Sequence, residues 1–355
     1  MPNILFLIGN GFDLNLGLNT KYSDVSHIYI EKYTETNDED IQNFIKELKN
    51  NKEKWADFEI AMGKYTENFN STNKNNYTNI IDSFRDVLIN KFKYEETRAN
   101  YELNTEHIIT VFKKSIINFN AYLVPESRQL IHSITTTTLT NINFQYDFIT
   151  FNYTDILDHC VKLVKKNINS FSVRQLGSNN GQHKITDALG KVLHIHGTLQ
   201  KDLILGVDNQ DQIANEAFRE DIDMQWLMKP FVNNELGEHN DKEAIKLIDN
   251  SSLICIFGMS VGETDKTWWK RIFNWLLSDT TRHLIIFYYN DKIVESNPRT
   301  KIENKKEIKN IFFSTVGDVS DEKRKSCESR IHIPLSNGDM FKLNILSTDK
   351  IVTKE

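Results

Sequence analysis

The sequence predicts an α/β fold with a parallel sheet, helices on both faces and a large helical insertion after the first strand. Short apolar runs read as buried strands, of which ILFLI at residues 4–8 is the clearest. Helical patterns separate the later strands from one another, and a long helical block follows the first strand. Buried strands that alternate with helices are typical of parallel sheets, because the crossover helices cover both faces.

Each predicted strand is an apolar run that ends at turn residues. The strands are predicted at 4–8, 146–151, 192–195, 203–205, 253–257 and 284–289, with helices at 156–164 and 266–277. Between residues 21 and 122, apolar side chains recur at helical spacing, as at Ile80, Ile81, Phe84, Val87 and Leu88. We therefore predict an α/β domain formed by residues 1–20 and 141–355, and a helical insertion or lid at 21–140.

Composition limits the class of protein. The chain has 355 residues and a formal net charge of −6, whereas proteins that hold nucleic acid backbones are usually basic. No apolar run has the length of a membrane span, and the first one lacks the basic leader and cleavage site of a signal peptide. These features favour a cytoplasmic protein for which neither nucleic acid nor a membrane is the main partner.

Three scattered cysteines, Cys160, Cys255 and Cys327, form no CxxC pair. A four-cysteine zinc site is therefore excluded. We predict that all three are buried free thiols in a reducing compartment.

A glycine turn follows the first strand. Gly9, Asn10, Gly11 and Phe12 stand where a strand-turn-helix unit presents backbone amides to a phosphate, although the third glycine of G-x-G-x-x-G is missing. We predict that these residues bind a nucleotide phosphate; the alternative is a tight turn. Asp13 would repel a phosphate, so it is expected to face a ribose hydroxyl or a water, or to cap the helix.

Polar residues also follow two later strands, at the edge where parallel sheets bind ligands. In TFNYTD, the amide of Asn152 suits a water or a sugar hydroxyl, and Asp155 is either a ligand contact or a helix cap. In GMSVGETD, backbone amides at Gly258 and the hydroxyl of Ser260 suit a second phosphate or a ribose, and Thr264 or Asp265 is expected to cap the next helix. Two such turns favour a dinucleotide.

The segment HIHG places His194 and His196 at alternate positions of a predicted strand, and thus on one face of the sheet. A metal pair is one interpretation, but no carboxylate or cysteine lies close in sequence and no metal is expected. Another is that His196, at the strand end, is a catalytic base. A histidine satisfied within the core is the third.

Two further segments leave alternatives open. In WADFE, Trp55 and Phe58 are expected in the core, whereas Asp57 and Glu59 are either solvated or reach the cleft. The segment GVDN at 206–209 is expected to be a plain turn, with a loop over the site as the alternative.

The motif series resembles that of the AbiH-type phage abortive-infection proteins. It comprises IGNGFDLNLGLNTKYSDV, WADFE, TFNYTDILD, HIHGTL with LILGVDN, and FGMSVGETDKTWW, between residue 4 and about 275. That family in turn resembles the sirtuin-like, Rossmann-like nucleotide-binding fold. The resemblance implies that NAD is surrounded by Gly9, Gly11, Asn152, His196, Gly258 and Ser260.

The resemblance also implies an NAD-hydrolysing, nicotinamide-releasing effector of phage defence. Two departures qualify it. The sirtuin-like pattern has Asp two residues after the Asn, whereas Asp155 follows Asn152 by three. The zinc module of a protein deacetylase of that fold is missing, which argues against an acyl-peptide substrate.

The expected mechanism starts with NAD lying across the strand ends, its pyrophosphate on the first glycine turn. Nicotinamide would leave through an oxocarbenium-like state. His196 would deprotonate a water or a ribose hydroxyl, Asn152 would hold that group, and Asp13 would stabilise the cationic sugar. Expected partners are NAD or a related dinucleotide, a phage-derived trigger and a second copy of the chain. The rival is a nucleotide-binding defence protein without this activity, toxic by nuclease action or protein contact.

Overall fold

The computed structural model describes residues 3–137, 144–167, 172–178, 181–237, 240–289, 297–334 and 339–346. In these ranges the strands are β1 (Asn3–Ile8), β2 (Gln145–Thr150), β3 (Ser172–Ser178), β4 (Gly181–His194), β5 (Ser251–Phe257), β6 (His283–Phe287) and β7 (Ile331–His332). The helices are α1 (Gly11–Asn15), α2 (Tyr22–Tyr33), α3 (Glu39–Asn50), α4 (Phe58–Tyr65), α5 (Lys74–Thr97), α6 (Thr105–Ile117), α7 (Pro125–Thr137), α8 (Ile156–Asn167), α9 (Glu216–Glu220), α10 (Lys229–Glu235), α11 (Asn240–Asn250), α12 (Lys266–Ser278), α13 (Pro298–Val316) and α14 (Asp321–Glu328).

The strands form one sheet in the order β3-β4-β2-β1-β5-β6-β7. All neighbours are parallel except β3, which pairs antiparallel with β4 at one edge. Without β3, the parallel strands stand third, second, first, fourth, fifth and sixth in chain order, which is the doubly wound arrangement. The predicted Rossmann-like α/β class is confirmed. Since the order reverses at β1, the crevice beyond β1 and β5 is where such sheets bind ligands.

The continuous apolar run of β1 reflects burial on both faces. Phe6 faces the core that contains α6 and α8, and its ring stacks on Phe148 of β2 with centroids 5.7 Å apart. Leu5 and Leu7 face the opposite core, with α11 and α12. A strand covered on both sides shows no polar alternation, which is why the sequence pattern identified it. Helices on both faces were predicted and are confirmed.

In the described part of the chain between β1 and β2, seven α-helices contribute to two cores. Helices α2 to α5 surround a separate apolar cluster in which Phe58 and Phe84 stack with centroids 3.9 Å apart. The segment that precedes α10 joins this cluster through Leu227. Helix α6 packs instead on the sheet, where Phe112 lies 6.0 Å from Phe148, centroid to centroid. The domain boundaries at residues 20 and 140 stay a prediction.

The strand predicted at 203–205 is wrong. Ile204 N–H donates to the carbonyl of His196 at 2.9 Å, but Leu205 packs into the cluster formed by α2 to α5. This apolar run therefore reflects burial against helices and not pairing in the sheet. Strand β3, β7 and the first part of β4 were not predicted. An Asn-Gly pair at 180–181, a common hairpin signal, could have indicated the β3–β4 hairpin.

All three cysteines are buried and free, as predicted. Within the described ranges, no helix combines the length and apolar character that a bilayer crossing requires.

Candidate functional site

A cleft of about 510 Å³ opens beyond the carboxyl ends of β1 and β5, at the point where the strand order reverses. This volume falls in the usual range of small-molecule sites. The two predicted glycine turns, Ser260 and His196 line it. Its aromatic lining includes Tyr22, Phe151, Tyr153, Trp269, Tyr288 and Tyr289.

The two glycine turns touch each other at the bottom of this cleft. Gly9 N–H donates to the carbonyl of Phe257 at 3.0 Å, and Gly11 N–H donates to that of Gly258 at 2.8 Å. A Cβ added to Gly11 would lie 2.5 Å from the Cα of Gly258. Close approach of two backbones therefore explains these glycines by itself. Two amides predicted to bind phosphate are bonded to the end of β5 and to the turn after it, so phosphate binding by residues 9–12 stays a prediction.

Other contacts hold the first turn in shape. The Asn10 amide donates to the carbonyl of Thr20 at 2.7 Å, and the Thr20 hydroxyl donates to Asn10 Oδ1 at 2.6 Å. Phe12 is fully buried against Phe341, with ring centroids 5.4 Å apart. Asn10 thus lines the cleft with its side chain already engaged, whereas Phe12 belongs to the core.

The structure brings Asp13 and Asn152 together. Asn152 Nδ2 donates to Asp13 Oδ1 at 3.1 Å, and the Thr154 hydroxyl donates to Asp13 Oδ2 at 2.6 Å. Asp13 is 1% exposed and Asn152 is 6% exposed, and neither side chain lines the 510 Å³ cleft. Burial raises the pKa of Asp13 to about 7, against the opposing hydrogen bonds of Thr154 and Asn152. Their contact joins the loop after β1 to the loop after β2.

The raised pKa of Asp13 should make the stability of the fold depend on pH. A carboxyl with a higher pKa in the folded state stabilises the fold below its unfolded pKa, and this contribution is lost as pH rises to about 7. Asp13→Asn keeps an acceptor for Thr154 but removes the titration. Between pH 4 and pH 7 we expect the free energy of unfolding to fall less in the variant than in the wild type. The difference between the two slopes should reach up to about 1.4 kcal/mol per pH unit. Urea denaturation at several pH values measures the free energy of unfolding. The same dependence of this free energy on pH in variant and wild type would contradict the prediction.

The two histidines of HIHG lie on opposite sides of the sheet, so the prediction of a shared face is wrong. His194 Nδ1 donates to the carbonyl of Asn152 at 3.0 Å, and its Nε2 lies 2.6 Å from Asp158 Oδ2 on α8. His196 instead faces Phe151, with ring centroids 5.4 Å apart. Because β4 ends at His194, strand alternation no longer sets the direction of His196.

Asp155 lies beside His194 and away from the cleft lining. Its side chain stands with those of Asp158 and His194 in a group whose polar atoms lie within 4.8 Å of one another. Both nitrogens of His194 already contact protein atoms, so the group forms a hydrogen-bonded cluster. Burial disfavours a charged ring, but Asp158 raises the pKa of His194 above its ordinary value.

A charged cluster surrounds His196. His196 Nε2 lies 3.9 Å from Asp265 Oδ1, and Lys229 Nζ lies 3.7 Å from the same oxygen. Lys229 Nζ also contacts Glu59 Oε2 at 2.6 Å, and the Tyr153 hydroxyl lies 3.2 Å from Glu59 Oε1. His196, Lys229 and Glu59 are each at most 5% exposed. The cluster therefore joins the strand ends to helix α4 of the insertion.

Burial and charge set the protonation of this cluster. Burial, and then Lys229, lower the pKa of His196 well below its ordinary value, so the ring is neutral. Burial raises the pKa of Glu59 to about 7 and that of Asp265 to about 6, in both cases against the attraction of Lys229. The cleft thus holds an unprotonated imidazole close to two carboxyl groups.

The sequence missed part of this cluster. For Glu59 the structure selects the cleft over solvent. Asp265 occupies the N-cap position of α12, as one of the two predicted candidates, but its side chain makes no capping hydrogen bond. Asp208 caps α12 instead, because its Oδ2 accepts from Thr267 N–H at 2.9 Å. No sequence motif around Lys229 indicates its role, because its partner Glu59 is 170 residues away in the chain.

Fold and cleft together define a Rossmann-like α/β protein with a charged, aromatic-lined cleft at the switch point of its sheet. The chain belongs to the bacteriophage abortive infection AbiH family, whose model matches residues 5–288. It is thus a phage abortive-infection defence protein. No curated protein matches the chain. The sirtuin-like comparison stays a prediction.

Proposed function

We propose that this defence protein hydrolyses NAD in the cytoplasm, releasing nicotinamide and ADP-ribose. The observation that carries the proposal is the neutral imidazole of His196 in a cleft at the switch point of a Rossmann-like sheet. Dinucleotides bind such sheets at this point. The aromatic lining suits the two bases of NAD, and Lys21 and Ser260 supply polar contacts for its phosphates.

The charges of the cleft suit cleavage of an N-glycosidic bond. The C1′–N bond breaks with its electron pair going to nicotinamide, which leaves neutral because its ring was already positive. Positive charge then develops on the ribose, as in glycoside hydrolysis. Among the described lining residues, the carboxyl groups of Asp57, Glu59 and Asp265 outnumber the cation of Lys21. An ionised carboxylate at the lining stabilises the positive charge that develops on the sugar.

His196 would complete the reaction as a general base. A water forms the new bond to C1′, and its proton passes to the unprotonated ring nitrogen of His196. Asn152 and Asp13, which do not line the cleft, would act by fixing the backbone that carries Phe151 and Tyr153. This assigns the predicted trio two different tasks, proton transfer for His196 and support for the other two.

The test is direct detection of products. Purified protein is incubated with NAD, with and without extract of phage-infected cells, and nicotinamide and ADP-ribose are quantified by chromatography. We expect the two products in equal amounts. If calorimetry shows NAD binding while NAD stays intact under both conditions, the protein is a nucleotide-binding defence protein that is toxic by some means other than NAD hydrolysis. If NAD neither binds nor reacts, the cleft serves another ligand and the proposal is wrong.

A further inference from the structure

Lys229 is a buried cation at the centre of the charged cluster. Lys229 is 3% exposed, and three separate parts of the chain meet at it. Glu59 comes from α4 of the insertion, Asp265 precedes α12, and Lys229 itself begins α10. Burial disfavours its charge, yet Glu59 and Asp265 raise the pKa of Lys229 above its ordinary value. A fixed positive charge therefore lies beside the cleft.

His196 lines two cavities, and Lys229 lines one of them. A second cavity of about 340 Å³ is lined by both residues together with Asp208 and Asn233. His196 lines the 510 Å³ cleft as well. Within the described residues, the imidazole of His196 has no hydrogen-bond partner, and Asp265 Oδ1 lies 3.9 Å from its Nε2. Packing on Phe151 and the surrounding charges are what orient this imidazole.

We propose that Lys229 is a positioning residue for His196. Held by Glu59 of the helical insertion, its ammonium keeps the Asp265 carboxylate beside His196 Nε2 and opposes a second positive charge on the imidazole. The insertion thereby controls a group of the sheet domain through one ion pair. The use of His196 as a base rests on the proposed hydrolysis of NAD, but the charge coupling does not.

The charges around His196 determine the direction of the expected effect. The ionisable groups that face it from the neighbouring elements and the second cavity are Asp57, Glu59, Lys229, Asp208, Asp265, Asp241, Lys270 and Arg271. Lys229→Met removes the cation and leaves Asp265, which attracts an imidazolium. The pKa of His196 should therefore rise. Glu59→Gln leaves the cation without its main partner, so the pKa of His196 should not rise.

The experiment follows His196 in the ligand-free protein by NMR, as the titration of its Cε1–H signal, assigned by its loss in His196→Ala. We expect the pKa of His196 to rise by about one unit or more in Lys229→Met. The double variant K229M/E59Q replaces the ion pair by neutral side chains of similar size, so it tests the same shift with less risk of unfolding. Lys229→Arg, which keeps the charge, is the matched control. An unchanged pKa in both Lys229→Met and the double variant overturns the proposal.

Hydrolysis of NAD gives a second, separable readout. In Lys229→Met and in the double variant the acid limb of the kcat profile should move to higher pH by the same amount, whereas a purely structural role would lower kcat equally at every pH. If the wild type does not hydrolyse NAD but the NMR shift occurs, the proposed function is wrong and the coupling stands. If NAD is hydrolysed and His196 does not shift, Lys229 is not a positioning residue.

Discussion

Replacement of His196 by alanine is expected to lower kcat for NAD hydrolysis by about 10²–10⁴-fold, the usual contribution of a general base. KM should change little, because the proposed role of the His196 side chain is to take a proton from the attacking water and not to bind NAD. Burial and Lys229 keep the ring unprotonated at neutral pH, so the wild-type protein has a neutral imidazole for the proposed role of base. Steady-state kinetics with chromatographic detection of nicotinamide measures both constants.

The matched control is His27→Ala, whose side chain is 77% exposed and lies away from the cleft. It should leave kcat and KM unchanged. Circular dichroism and thermal unfolding establish that both variants are folded. A kcat within about threefold of wild type in His196→Ala would contradict its role as base. In that case Glu59→Gln, with a carboxyl group in the same cleft, becomes the variant that loses activity.

Gly258→Ala is expected to lower the free energy of unfolding by about 3 kcal/mol or more. Gly258 has a φ of +71°, a conformation that costs alanine about 1–2 kcal/mol. In addition, its new Cβ would lie 2.6 Å from Phe12 N and 2.8 Å from Gly11 Cα. Both are backbone atoms of the facing turn, so no side-chain rotation can relieve the overlap. Urea denaturation followed by circular dichroism measures the loss.

Gly262→Ala provides the control within the same loop. Gly262 has a φ of −89°, and a Cβ there would meet only the Ser260 hydroxyl oxygen at 3.4 Å. We expect a change within about 0.5 kcal/mol. Equal destabilisation by the two substitutions would show that the contact between the two glycine turns does not carry the effect.

The fold class was predictable because its signals are local. Strand β1 is covered on both faces, so every side chain from residue 4 to 8 is apolar, and this pattern is visible without its neighbours. The same reasoning failed at 203–205, where an apolar run packs on helices and not in the sheet. It also missed β7, since two residues are too short to show a pattern.

The candidate site was predictable only in part. Polar residues at strand ends meet at one edge of a parallel sheet, which is why Asn152 was correctly expected near the first glycine turn, where it contacts Asp13. Which side chains then line the cleft depends on how each loop leaves its strand. His196 reaches the cleft, whereas Asn152, one residue from both Phe151 and Tyr153, does not.

The sequence by itself determined the parallel sheet, the long run of helices after β1 and the glycine turn at residues 9–11. Each of these follows from the burial or the backbone freedom of neighbouring residues. Only the tertiary structure decided that Gly11 lies against Gly258, that Asp13 bonds to Asn152, and that Lys229 joins Glu59 to Asp265. Backbone contacts and charge pairs act over a few ångströms in space, and nothing in the spacing of residues along the chain encodes which distant partners will be that close.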